Sequence, residues 1–194
     1  MSLIEDIKAY TPYDEEEEKD KSFLLSFLAN NQDAFYRSNR VAHMSASAWI
    51  TNSSMDKVLL AYHNIYQSYT WLGGHADGEE DLLKVAEKEV REESSLTSAK
   101  PYDGKIYSLE VLTVNGHIKH GEYVSSHLHL NVTYLFIADK KEATKVKPDE
   151  NAALAWFDLD EVTKVSREPW FNEWIYPKLN QKLIALRESL RKGE

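Results

Sequence analysis

The segment from Gly73 to Leu96, GGHADGEEDLLKVAEKEVREESSL, constrains this chain more than any other. Wound at helical periodicity with Glu89 set at zero, Leu82, Leu83, Ala86 and Val90 fall between about 20° and 120°, and Val85 at about −40°. Glu92 falls at about −60° and Glu93 at about +40°, so three carboxylates at i, i+3 and i+4 share the apolar side. Glu80, Lys84, Glu87, Lys88 and Arg91 take the opposite arc. A solvated acidic face predicts the reverse arrangement. Clustered carboxylates repel one another, resist desolvation, and in a last turn oppose the helix dipole. A bound divalent cation resolves the conflict. The chain has no cysteine, and oxygen ligands point to Mg²⁺ or Mn²⁺, cations that also coordinate phosphates. Gly73-Gly74 ahead of the helix most often marks a turn. Coupled to inward acids on the next helix, a glycine loop offering free amides to an anion suggests a metal–phosphate site.

The surroundings supply a framework for that helix, expected over about 79–94. Val41 to Thr51 and Lys57 to His63 have strand patterning and are separated by Asn52-Ser53-Ser54, a hairpin signal. Further strands are expected at 105–114, 127–137 and 152–158. Near the N-terminus, Thr11-Pro12-Tyr13-Asp14 has the form of a helix start, with Phe23, Leu24, Phe27 and Leu28 as its apolar side and Asn30-Asn31 as its end. Met1-Ser2-Leu3 carries no evident structural signal. A short helix is expected from Asp160-Glu161 and a long one after Pro169. Pro177 should interrupt the latter before Leu179, Leu183, Leu186 and Leu190 continue one face. Strands divided around a central helix, with helices at both ends, define a mixed α/β chain of the α+β type.

Charge narrows the function classes. The formal net charge is −9, and residues 1–20 hold eight acids against two lysines, two-thirds of that total. At helical spacing the acidic run is expected to be a solvated first turn. No basic surface suits a nucleic-acid polymer, and no uncharged apolar run approaches the ~18 residues that cross a bilayer. Absence of cysteine removes disulfides and cysteine nucleophiles, and with no signal segment the chain is expected to be cytoplasmic. Ser45 and Ser47 show no histidine–acid partnership of the serine-hydrolase kind.

The helix segment resembles the signature of the Nudix hydrolases, G-x5-E-x7-R-E-U-x-E-E-x-G-U with U aliphatic. Gly74, Glu80, Glu89, Val90, Glu92, Glu93 and Leu96 fall on the pattern, while Lys88 replaces its arginine and Ser95 its second glycine. The resemblance implies a Nudix-like mixed-sheet α/β/α sandwich with extra helices at both ends. It covers roughly residues 41–165, and the chain is expected to divide into an acidic N-terminal helical extension, residues 1–40, and a Nudix domain, residues 41–194, that takes in the C-terminal helices. It further implies that Glu89, Glu92, Glu93 and the Gly74 carbonyl are metal ligands and Glu89 the first candidate for general base. Glu80 would support the loop, and Lys88 would hold the ligand carboxylates without an arginine's forked geometry. Some relatives take an extra carboxylate from a loop such as Asp149-Glu150.

The implied activity is Mg²⁺-dependent hydrolysis of a phosphoanhydride in a nucleoside-diphosphate-linked or related small substrate. The alternative is a non-catalytic nucleotide-sensing module. An isomerase chemistry on the same fold depends on a cysteine, which this chain lacks. Outside the signature, His127 and His129 alternate on one strand face, a spacing that suits a metal, a phosphate or plain sheet histidines. His75 follows the glycines and could touch substrate. Tyr69 and Trp71 could stack on a base or pack in the core. The N-terminal helix could pack on its own domain or on a second subunit of a homodimer.

Overall fold

The computed structural model describes residues 2–119 and 121–193. In chain order its helices are α1 (Leu3–Ala9), α2 (Glu15–Asn30), α3 (Leu82–Ser94), α4 (Val162–Val165) and α5 (Tyr176–Lys192). Its strands are β1 (Ala42–Asn52), β2 (Lys57–His63), β3 (Ser68–Thr70), β4 (Leu72–His75), β5 (Lys100–Val114), β6 (His117–Lys119), β7 (Glu122–Val124), β8 (His127–Ala138) and β9 (Asn151–Asp158). The main sheet has seven strands in the order β3-β2-β1-β8-β5, with β4 on β1 and β9 on β2, and β6-β7 form a separate hairpin. This is the expected mixed sheet with helices around it. Two compact units divide the chain, one built from the N-terminal segment to Ser47, Gly73–Ala86 and Lys105–Tyr134, the other from Ala48–Leu72, Glu87–Gly104 and Leu135 onward. Strands β1, β5 and β8 and helix α3 run through both.

In the first unit, the N-terminal segment departs from its expected form. Ser2 caps a short helix, α1, with a reciprocal Ser2–Glu5 capping box. The cap of α2 is Asp14, not Thr11: its carboxylate accepts the Glu17 amide at 2.8 Å. Glu17, expected in a solvated turn, is buried. Its carboxylate accepts the Tyr13 amide at 2.5 Å, the Ser108 hydroxyl at 2.8 Å and the Leu109 amide at 3.0 Å. Asp20 accepts the Val111 amide at 3.0 Å, and the Tyr10 hydroxyl donates to the Tyr107 carbonyl at 3.1 Å. The acids that dominate the charge balance therefore also serve β5 as hydrogen-bond acceptors. Phe23 stays 42% exposed, so the apolar side of α2 is narrower than its sequence suggests.

A buried polar network links β1, β5 and β8 in the same unit. Asn131 Oδ1 accepts the hydroxyls of Ser45 and Ser47 at 3.1 and 2.9 Å. Its amide donates to Glu110 at 2.9 Å, and Thr133 donates to the same carboxylate oxygen at 2.9 Å. The two serines are thus structural donors. Gly73-Gly74 form part of β4, not a turn, and Gly73 explains itself by close approach. A Cβ there would lie 2.5 Å from the Ala46 carbonyl oxygen and 2.7 Å from Ser47 Oγ, so a side chain would push β4 off β1.

In the second unit, β2 pairs antiparallel with β9 from Lys57↔Asp158 to His63↔Asn151. Trp49 stacks on Tyr176 with ring centroids 5.5 Å apart, and the Tyr176 hydroxyl donates to Thr70 Oγ1 at 3.1 Å. Pro177 does not interrupt the C-terminal helix as the sequence suggests: residues 169–192 wind without a break, because a widened turn before the proline absorbs its missing N–H. Pro177 lies in the first turn of α5, and Phe171–Ile175 just before it wind as a wider π-helical turn. Leu179 and Leu183 are fully buried while Leu190 is exposed, so the leucine face leaves the core toward its end.

Candidate active site

Helix α3 starts later than the sequence suggests, because Asp81 caps it. The Asp81 carboxylate accepts the Lys84 amide at 3.3 Å, and its carbonyl takes the Val85 amide. Leu82, Val85, Ala86 and Val90 are buried, which fixes the rotation of the helix. That rotation buries Glu89 and Glu93, 7% and 5% exposed, in spite of their charge. Glu92 is different. At the far edge of the apolar arc it turns to solvent, its side chain 41% exposed, and ion-pairs with Lys147 at 3.3 Å and Lys88 at 3.8 Å.

The third carboxylate beside Glu89 and Glu93 comes from Glu150, in the turn before β9. One oxygen from each of Glu89, Glu93 and Glu150 lies within 4.8 Å of the others. Burial pushes the Glu89 carboxyl above the ordinary glutamate range, opposed by the charge of Lys88 and reinforced by Glu92 and Glu150. Three converging hard oxygen donors, two of them buried, fit a divalent cation of the Mg²⁺ or Mn²⁺ type. The loop that delivers Glu150 is tied to the end of α3. Asn151 donates to the Glu93 carbonyl at 3.1 Å, and the Lys145 amide donates to the Ser94 carbonyl at 2.9 Å. Lys147 bridges Glu92 and Glu150, with Nζ 3.0 Å from the latter. Burial of Lys147 works against its charge, but its hydrogen bonds to Glu150 and Glu92 hold its pKa above the usual lysine value.

Lys88 lies where the signature has arginine, and its ammonium reaches Glu89 at 3.4 Å and Glu92 at 3.8 Å, both loose contacts. Glu80 is exposed in the loop before α3, and Gly74 lies in β4. Ser95, in place of the signature glycine, adopts φ 58°, the left-handed region that costs a side chain about 1 kcal/mol or more. Ser95→Gly should therefore stabilise the protein by about 0.5–1 kcal/mol, read as a rise of about 1–4 °C in a thermal melt.

Trp71 is buried against Phe171 and Tyr176, with edge-to-face centroid separations of 5.4 and 6.1 Å, and packing accounts for its aromatic ring. His75, His127 and His129 are brought together, and a fourth histidine, His43, which sequence reasoning missed, joins them. The period-two pattern of His127 and His129 announced a common face, but only pairing of separate strands reveals that His43 on β1 meets it. Lys147 was likewise invisible, since nothing local in its loop marks the carboxylates it bridges.

A family model described as the NUDIX domain matches residues 41–179. Among solved structures, a binary complex of a C. elegans Ap4A hydrolase is similar over 75% of this chain and 98% of its own, with 17% identity and a TM-score of 0.55. A Nudix-family hydrolase from Clostridium perfringens is similar over 74% of this chain and 97% of its own, with 22% identity and a TM-score of 0.51. No curated protein matches the sequence. The chain belongs to the Nudix family, and its fold is that of the Nudix hydrolases. Among the described residues no helix is long and apolar enough to cross a membrane.

Proposed function

We propose that this protein hydrolyses a phosphoanhydride bond in a small nucleotide-derived substrate, using a divalent cation held by Glu89, Glu93 and Glu150. The observation that carries the reading is the convergence of these three carboxylates on the signature helix and its tethered loop. A cation of the Mg²⁺ class, when bound, neutralises phosphate charge and lowers the pKa of a bound water. Glu89, whose basicity burial raises, is the carboxylate suited to accept a proton from the attacking water. Glu92 serves the site indirectly, as the counter-charge that positions Lys147 beside Glu150. The Gly74 carbonyl remains a proposed ligand, and Glu80 a proposed support of the loop, on the strength of the signature alone.

The substrate panel should span nucleoside triphosphates, ADP-ribose, sugar nucleotides, CoA and dinucleoside polyphosphates, each with Mg²⁺ and with Mn²⁺. Ap4A belongs in it because one similar structure is named as its hydrolase. Metal-dependent turnover of at least one compound supports the proposal. Binding of a nucleotide without turnover under either metal would replace the enzyme reading with the nucleotide sensor.

The lysines give a second test. Lys147→Met releases Glu150 and should raise the Mg²⁺ concentration for half-maximal rate by about tenfold, equivalent to ~1.4 kcal/mol. Lys88→Arg should lower it by about 2–10-fold, because a guanidinium spans both carboxylates that the ammonium contacts loosely. Mg²⁺ titrations of initial rate check both, and an unchanged requirement in Lys147→Met would remove Glu150 from the ligand set.

A further inference from the structure

A second cluster of metal-ligand chemistry lies in the first unit, built from different donors. His43 comes from β1, His75 from the end of β4, and His127 and His129 from the start of β8. One nitrogen from each of the four rings lies within 4.8 Å of the others. The His43 ring centroid is 5.1, 4.9 and 5.0 Å from those of His75, His127 and His129, nearly equidistant from all three. His129 Nε2 lies 3.2 Å from His75 Nε2 and 3.1 Å from His127 Nε2.

Hydrogen bonding among the rings does not satisfy this arrangement. Each imidazole nitrogen has one in-plane position, either a proton or a lone pair. His129 Nε2 can therefore complete a hydrogen bond with only one of the two nitrogens it faces. His43 Nδ1 lies 3.0 Å from the Asn39 carbonyl and His127 Nδ1 2.9 Å from the Ser125 carbonyl. A carbonyl only accepts, so both Nδ1 atoms carry protons, and in the neutral rings that bind a metal both Nε2 atoms present lone pairs. His43 is 4% exposed, and its Nε2 is buried without a hydrogen-bond partner among the described residues. A donor to the backbone on one ring nitrogen, with the other aimed inward, is the usual outer support of a metal-bound histidine.

We propose that His43, His75, His127 and His129 form a second metal site, closed and four-coordinate, for a divalent transition cation with Zn²⁺ the first choice. Nitrogens at 2.0–2.1 Å from a tetrahedral Zn²⁺ lie about 3.3 Å apart, close to the separations at His129. Four neutral imidazoles suit Zn²⁺, Ni²⁺, Cu²⁺ or Co²⁺ and disfavour Mg²⁺, which selects oxygen. With every position filled by protein, the cation has no place for a substrate or water. Its role is structural, tying β1, β4 and β8 together.

The test uses tag-free, full-length protein, stripped with a chelator and re-equilibrated in millimolar Mg²⁺. Elemental analysis after addition of Zn²⁺ and dialysis should find one tightly held ion per chain. Co²⁺ should give the intense visible absorption of four-coordinate nitrogen ligation. Zn²⁺ at a hundredfold excess over its Kd should raise Tm by about 5–10 °C. Loss of an outer support typically costs 10–100-fold in affinity, and loss of a ligand more, so H129Q and H127Q should each bind at least about 100-fold more weakly. Two separate ligand variants are used so that H127Q keeps the test open if H129Q does not fold. Glu89→Gln with Glu93→Gln should leave the Co²⁺ spectrum intact. Equal Zn²⁺ affinity in wild type and H127Q, or a Co²⁺ signal lost with the glutamates instead, would overturn the site.

Discussion

Glu93→Gln should lower hydrolysis by at least about 100-fold, equivalent to ~2.7 kcal/mol of transition-state stabilisation, while the metal-free protein stays at least as stable as wild type. The two expectations come from the same geometry. Glu89 and Glu93 are buried on one side of α3 with Glu150 close by, so without a cation their charges repel in a poorly solvated place. Glutamine keeps the shape and removes a charge. It relieves that repulsion but supplies a far weaker ligand to a divalent cation. The measurements are initial rates at saturating Mg²⁺ and thermal melts in chelator. A variant that melts clearly earlier in chelator would make Glu93 a structural residue, and the metal site would have to be sought elsewhere.

Glu17→Ala should cost about 3 kcal/mol, although the residue belongs to a run of acids that looks dispensable. Its carboxylate satisfies the Tyr13 amide, the Ser108 hydroxyl and the Leu109 amide from a buried position. Alanine deprives all three donors of that acceptor, and each buried donor left unpaired costs about 1–3 kcal/mol, reduced where water can enter. Tm should fall by about 10 °C. Glu16→Ala, at an exposed neighbour, is the control and should change Tm by no more than about 1–2 °C. If the two variants melt alike, Glu17 is not an anchor of α2 on β5.

The parts of this fold legible in the sequence are those governed by local periodicity. The amphipathic stripe of α3 and the β1–β2 hairpin follow from side-chain alternation and backbone chemistry within a few residues, whereas Pro177, a helix breaker by local rule, is carried inside a continuous helix by the π turn before it. Departures occur where a distant partner decides. Thr11-Pro12 and Asp14 are both competent helix starts, and Asp14 prevails with a carboxylate on the Glu17 amide. A charge run reads as solvated because no local rule reveals that Ser108 and Leu109 await one of its members. The helical wheel put Glu92 inward by treating the apolar arc as symmetric about Glu89, yet Leu82, Leu83, Ala86 and Val90 all lie on Glu93's side. In the acidic cluster, Glu89 and Glu93 follow from helix phase, Glu150 is pointed to only through the family resemblance at Asp149-Glu150, and its bridging Lys147 depends on how a loop folds back.

Strand β5 ends the strand order of the main sheet, with β8 as its neighbour on one side. Leu109 and Val111 are two residues apart, so their amides point the same way, and they meet the carboxylates of Glu17 and Asp20. An outermost strand with unmet amides is a template for another chain, the first step toward edge-to-edge aggregation. Here side-chain carboxylates occupy those two amides, and the helix that bears them is dense in negative charge. A backbone strand in the same place would have left a fresh edge of its own. Carboxylates projected from a helix instead cap the ladder at Leu109 and Val111 and leave no further strand edge behind them.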